Sequence, residues 1–261
     1  MKKLILLSYI LLAGCIETSS EKKESSSSNS SLDAVQQPVV NTPLKPIRQE
    51  IEIGPFPIST SSDDGYSWQL DGDQWDNHGL DFENIRLGGS GNAAREYVVS
   101  LMFRGITVPA GKEIVSAKLI FTNQGYQNEE GTIQLDIMAL NPNNSETFST
   151  SSMAQDRDVL PGAVTWEKSN LAEVSVDISS LVQKIVDSDS WQSGGAMGFK
   201  ISNSHGEDIR HNFHSFDSAG QSNAPQIVIQ YASTVLPSTD PVDSVDPVDP
   251  VDPVDPVDPV D

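Results

Sequence analysis

The stretch Val164–Ser202, VTWEKSNLAEVSVDISSLVQKIVDSDSWQSGGAMGFKIS, decides the fold. Leu171, Val174, Val176 and Ile178 make a mostly alternating, β-branched run, the pattern of a half-buried strand. Ile178, Leu181, Val182, Ile185 and Val186 then fall at i, i+3, i+4, i+7 and i+8, which is one apolar face of a helix of about three turns. Gly194 and Gly195 break that period, and Ala196–Ser202 returns to strand. The unit is strand, short helix, strand.

On either side the apolar residues come in short runs. Glu50–Ile53 reads as a first strand ended by Gly54-Pro55, Asn84–Leu87 as a short one, and Glu96–Ile106 (EYVVSLMFRGI) as a strong one. Pro109-Ala110-Gly111 supplies a turn before Val115–Thr122, and Thr132–Leu140 follows. Glu146–Pro161 is a long polar connection, and His211–Phe216 and Gln226–Tyr231 close the series. Many short strands with one small helix predict an all-β, jelly-roll-like sandwich. A parallel α/β sheet would need a helix between most strand pairs, and those helices are missing.

The ends of the chain have a different composition. Lys2 and Lys3 precede an apolar run, Leu4–Ala13, which is too short to span a bilayer and has the shape of a secretory signal. It finishes in LAGC, Leu12–Cys15, and the chain has no other cysteine. This resembles the lipobox of bacterial lipoproteins. The resemblance implies cleavage before Cys15 and acylation of its thiol. Ile16, where an Asp would favour inner-membrane retention, points to the outer membrane or cell surface. The domain plan is therefore a signal peptide over 1–14, a Ser- and Pro-rich tether over 15–50, a β-sandwich module over 51–232, and a Val-Asp-Pro repeat tail over 233–261. Neither the tether nor the tail has enough apolar residues to offset the entropy of ordering, so both read as disordered. Proline at every third tail position favours an extended chain, and its Asp residues repel one another.

Charge narrows the class of partner. The chain carries 37 acidic residues against 16 basic ones, a net charge of −21. Neutralising duplex phosphates needs clustered Lys and Arg, and none occurs, which excludes a nucleic-acid partner. With one cysteine there is no intrachain disulfide.

Three local patterns occur in a fixed order. IVSAKLIF (Ile114–Phe121) follows VPAG (Val108–Gly111). Thr165-Trp166 precedes VDISSLV (Val176–Val182), and Ser215-Phe216 comes shortly before APQIVIQY (Ala224–Tyr231). Together they resemble the DNRLRE, or disaggregatase-related, modules, which are grouped with family 96 of the carbohydrate-binding modules. The resemblance spans about Ser61–Tyr231. It implies a jelly-roll domain of a secreted bacterial or archaeal protein; several such domains carry or accompany polysaccharide-degrading enzymes, and alginate is one ligand class of that family.

Candidate site residues concentrate in one polar segment. Asp63, Asp64, Asp71, Asp73, Asp76 and Asp81 lie among Gly65, Gly72 and Gly79. Calcium takes six to eight hard oxygens, and such loops supply them, so Asp71, Asp73 and Asp76 are expected calcium ligands, against the alternative of a solvated acidic loop. Trp68, Trp75 and Tyr66 sit in the same segment and are expected to stack on sugar rings. Trp166 and Trp191 flank the central unit and read as packing residues. Arg210, one of several arginines scattered along the strands, is a candidate partner for an acidic group on the ligand. His211 and His214 are three apart on an expected strand and face opposite sides, which argues against zinc. No nucleophile motif occurs. Catalytic residues are therefore expected to be none. A structural or adhesive lipoprotein is the alternative to a sugar-binding one, and a polysaccharide-degrading enzyme is the third reading.

Overall fold

The computed structural model describes residues 45–69, 74–89, 96–125, 130–168, 175–203 and 209–236. Cys15, Asp71, Asp73 and the Val-Asp-Pro repeats lie outside these residues. The described chain is mostly β, as the sequence pattern predicts. One sheet of six strands contains β2 (Asp64–Gln69), β3 (Trp75–Gly79), β5 (Tyr97–Ile106), β7 (Ile133–Ala139), β8 (Val164–Lys168) and β10 (Gly195–Ser202). Its spatial order is β3-β2-β5-β10-β7-β8, with every pair antiparallel. A second sheet contains β1 (Ile47–Pro57), β6 (Ile114–Ile120), β9 (Ser175–Asp177) and β12 (Gln226–Val235), in the order β1-β12-β6-β9. A ribbon of β4 (Asn84–Gly88) and β11 (Arg210–His214) continues from the end of β6 through the Asn123–Phe213 bridge.

The core fills the space between the two sheets. Val99, Leu101 and Phe103 of β5 pack with Ile133, Leu135 and Ile137 of β7 against Ala117, Leu119, Ile227 and Ile229 of the second sheet. β7 alternates buried and half-buried residues along its whole length, as expected of a strand with one solvated face. β5 is buried almost throughout because its other face is also covered. Met102 on that face packs with Leu140, Phe148, Met153 and Ala154 of the 140–158 segment. The unbroken apolar run at Glu96–Ile106 thus reflects burial on two sides.

The short helix is α1 (Ser179–Val186), with Leu181, Val182, Ile185 and Val186 buried. Its start is fixed by Asp177, whose Oδ1 accepts from the Ser179 N–H at 2.8 Å and from its hydroxyl at 2.6 Å. Ser179 Oγ in turn accepts from the Ala117 N–H, and Gln183 Oε1 accepts from the Ile114 N–H. The two hydrogen bonds from Ser179, hydroxyl and N–H, hold Asp177 below the usual carboxylate range. The helix therefore satisfies β6 donors that a further strand would otherwise take. A second helical turn, α2 (Phe216–Ala219), which the sequence pattern does not predict, is capped by Ser215 Oγ.

Two further expectations are corrected. Gly54-Pro55 does not end the first strand; β1 runs through it with a register shift between Ile53 and Phe56. Gly54 has φ +106°, and a Cβ there would lie 2.8 Å from the Ile227 carbonyl oxygen, so only glycine fits this bulge. The segment Ser61–Asp81 is not simply a polar loop; it contains the β2–β3 hairpin at the edge of the six-stranded sheet.

Ile47 pairs with Val235, so the chain enters and leaves the described sandwich at one end. Ile114 and Tyr231 mark that end of the second sheet, and a short turn links Ile114 back to Ile106 at the end of β5. The start of β5, where Tyr97 pairs with Trp68, is therefore at the far end, about 30 Å away along the strand.

On the outer face, Asp63 is fully buried and receives two 2.6 Å hydrogen bonds from Arg104 of β5. The Asp63 carboxylate holds the Arg104 guanidinium above its usual range. Arg104→Met leaves that carboxylate buried and unpaired, and is expected to cost about 3 kcal/mol in urea unfolding. Adding Asp63→Asn to the same chain is expected to recover most of the loss; no recovery would show that packing of the arginine stem dominates.

Candidate functional site

The aromatic residues of the β2–β3 hairpin meet those of the next segment at the far end of the sandwich. Residues directly paired across strands share a face. Trp68 pairs with Asp76, and Trp75 with Gln69, so Trp68 and Trp75 lie on opposite faces of the hairpin. Trp68 is half-buried and packs against the main core. Tyr66, two residues earlier and on its core side, is fully buried and cannot offer its ring face to a ligand.

Phe82 completes this cluster. Its ring stacks on Tyr66 with centroids 5.3 Å apart at 22°, and lies 6.2 Å from Trp68. Tyr97 meets Tyr66 edge-on at 5.6 Å. At 38% exposure, Phe82 is one of the few large apolar side chains that remain on the surface among the described residues. The Arg86 guanidinium lies over both rings, 5.2 Å from Tyr66 and 5.9 Å from Phe82, and Asn84 Oδ1 accepts from its Nε.

The β4–β11 register pairs Arg210 with Gly88 and Asn212 with Arg86, which places Arg86 and Arg210 on one face of that ribbon. Ile85, Leu87 and Phe213 take the opposite face, in the core. Arg86, Arg210 and Asp76 all act on the Tyr66 hydroxyl. Burial pushes that hydroxyl up to about 12, Arg86 and Arg210 draw it down, and Tyr97 and Asp76 push it up. The hydroxyl has no hydrogen-bond partner among the described residues.

Of the sequence-predicted residues, Trp68, Tyr66, Asp76 and Arg210 thus come together, Tyr66 beneath the surface, and Trp75 turns away. Phe82, Arg86 and Tyr97 complete the group. Only Arg86 carried a signal, as one of the scattered arginines, and strand parity without the register could not select it. Among the described residues no three His, Cys, Asp or Glu side chains are grouped to hold a metal ion. Of the expected calcium ligands, Asp76 alone falls within the described residues, half-buried in β3. A polar cleft of about 200 Å³, lined by Asn143, Glu146, Asp156 and Arg157, lies apart from the aromatic cluster. It is shaped by Arg157, which donates to the carbonyls of Asn144, Glu146, Thr147 and Ser152 and staples the outer loop.

Behind the cluster lies Asp64, fully buried at the start of β2. Its Oδ2 accepts from the Phe216 N–H at 2.8 Å, and its Oδ1 has no partner among the described residues. Burial pushes this carboxyl up to about 7; the Phe216 N–H opposes that, and the negative charges of Asp217 and Asp63 add to it.

Between pH 4 and pH 7 the unfolded chain loses this proton while the folded protein keeps it, so stability falls as pH rises through that window and levels off above it. From pH 5 to pH 8 the loss is expected to be on the order of 2 kcal/mol, read as a falling urea midpoint. Asp64→Asn is expected to flatten that profile and to be the more stable protein at pH 8; an equally steep profile in the variant would assign the effect elsewhere. No family model matches the chain, and no curated protein matches it.

Proposed function

We propose that the protein is a membrane-anchored, non-catalytic binding module for polysaccharide, held at the bacterial outer membrane or cell surface through Cys15. The observation that carries the reading is the grouping of Trp68 and Phe82 with Arg86 and Arg210 at one end of the sandwich. A half-exposed aromatic ring suits the C–H face of a sugar, and guanidinium groups beside it suit hydroxyls or an acidic substituent. The module's resemblance to DNRLRE-type domains agrees with this reading. So does placement, because the cluster is at the end away from Ile47, where the chain arrives from the proposed anchor. Net negative charge disfavours polyanionic glycans at low salt, so binding of an acidic chain should strengthen as salt rises from a low level.

A glycan array probed with the full chain tests the reading. Trp68→Ala is expected to weaken the strongest positive at least tenfold, about 1.4 kcal/mol, in titration calorimetry. Arg86→Ala should do so most for acidic glycans, and Trp75→Ala should leave affinity within twofold. An array with no positives would favour the structural or adhesive reading; release of oligosaccharides from a bound polymer would favour an enzyme.

The anchor has its own test. Cells expressing the chain are expected to incorporate labelled palmitate into it, and Cys15→Ser should abolish the label. Unlabelled wild-type protein would remove the lipoprotein part of the proposal and leave the binding part standing.

A further inference from the structure

A buried carboxyl is coupled to the aromatic cluster through a short chain of contacts. Asp64 Oδ2 holds the first N–H of α2, at Phe216. The preceding residue, Ser215, donates its hydroxyl to the Phe82 carbonyl at 2.6 Å. The Phe82 ring is the one that stacks on Tyr66 and approaches Trp68. Three consecutive links thus run from Asp64 to the exposed edge of the proposed binding face.

The Phe216 N–H favours the Asp64 carboxylate, but full burial, the unpartnered Oδ1 and the neighbouring Asp217 and Asp63 charges outweigh it and favour the neutral acid. Asp63, its neighbour, already holds Arg104 on β5. Asp217 on α2 accepts from Ser61 Oγ and repels a charge on Asp64. Elsewhere on the elements packed nearby are Tyr66 on β2, Arg86 on β4, and Arg210, His211 and His214 on β11, with Asp81 and Glu83 exposed beside Phe82. His214 Nδ1 lies 2.8 Å from Ser218 Oγ, so it too touches α2. An ionised Asp64 would put one unpaired oxygen in a fully buried position and a second negative charge next to Asp217. Outward movement of α2 gives up the Phe216 hydrogen bond, but it admits water to both carboxylate oxygens and carries Asp217 away.

We propose that Asp64 is a proton-controlled latch: as the neutral acid it keeps α2 seated and Phe82 fixed against Tyr66, and as the carboxylate it releases them. The binding face is then firm in mildly acidic surroundings and loose in alkaline ones. Its effect on a bound glycan rests on the function proposed above, whereas the latch itself does not, and its test uses no ligand.

The test is amide NMR on the full chain between pH 5.5 and pH 8.5. The Phe216 amide proton is expected to titrate with a midpoint near neutrality. Its hydrogen exchange, after correction for intrinsic base catalysis, is expected to rise at least tenfold across the range, together with that of Asp217 and Ser218. Asp64→Asn should abolish both changes, and His214→Gln should leave them in place. Should Asp64→Asn fail to fold, Asp217→Asn serves instead and is expected to move the midpoint to lower pH. Exchange that follows the intrinsic slope alone would overturn the latch. So would a titration lost in His214→Gln, or an unmoved midpoint in Asp217→Asn.

Discussion

Two adjacent carboxylates, Asp63 and Asp64, set the terms for the rest of this sandwich. Asp63 ends a single 3-10 turn and Asp64 opens β2, so the chain changes direction between them. Asp63 reaches outward to Arg104, and Asp64 inward to the Phe216 amide. Both are fully buried. The outward one is compensated by a bidentate partner, whose guanidinium also reaches the Ser145 carbonyl and so ties the outer loop to β5. The inward one has a single neutral donor. A buried charge with a full partner is tolerated, whereas one with half its oxygens unused stays protonated where it can. The same dipeptide thus yields one structural ion pair and one titratable group near neutrality.

The aromatic cluster depends on how this strand is placed. β2 pairs with β5 on one side and β3 on the other. That register puts Tyr66 under Phe82, brings Arg86 over both rings, and sends Trp75 to the other face of the hairpin. Tyr66 then acts as a floor: its ring supports Phe82 and Arg86 without touching solvent. A ligand would meet Trp68, Phe82 and the guanidinium groups, so the exposed part of the cluster is narrower than its list of aromatic residues suggests.

Much of the architecture was legible in the chain, and the exceptions have physical causes. α1 was visible because Leu181, Val182, Ile185 and Val186 bury one stripe at helical spacing. Trp166 and Trp191 read as packing residues and are 4% exposed. The β2–β3 hairpin was hidden because its positions include Asp64, Gly65 and Ser67, which do not look like core. They are buried because the 140–158 segment covers one face, with Gln155 Oε1 accepting from Ser67 Oγ, while α2 closes on the other. β1 was read too short because Gly54-Pro55 is a stop signal in most strands and a bulge in this one.

Local patterning dictates the all-β class, α1 as the longest helix among the described residues, and the strong central strand. Each of these follows from the period of apolar residues, which is a local property. Which polar side chains gather was decided only by the tertiary structure. Arg86 of β4 lies 5.2 Å from the Tyr66 ring of β2, and Asp64 reaches Phe216, 152 positions away, through strand register and sheet order. Those are set by long-range pairing, and no local pattern encodes them.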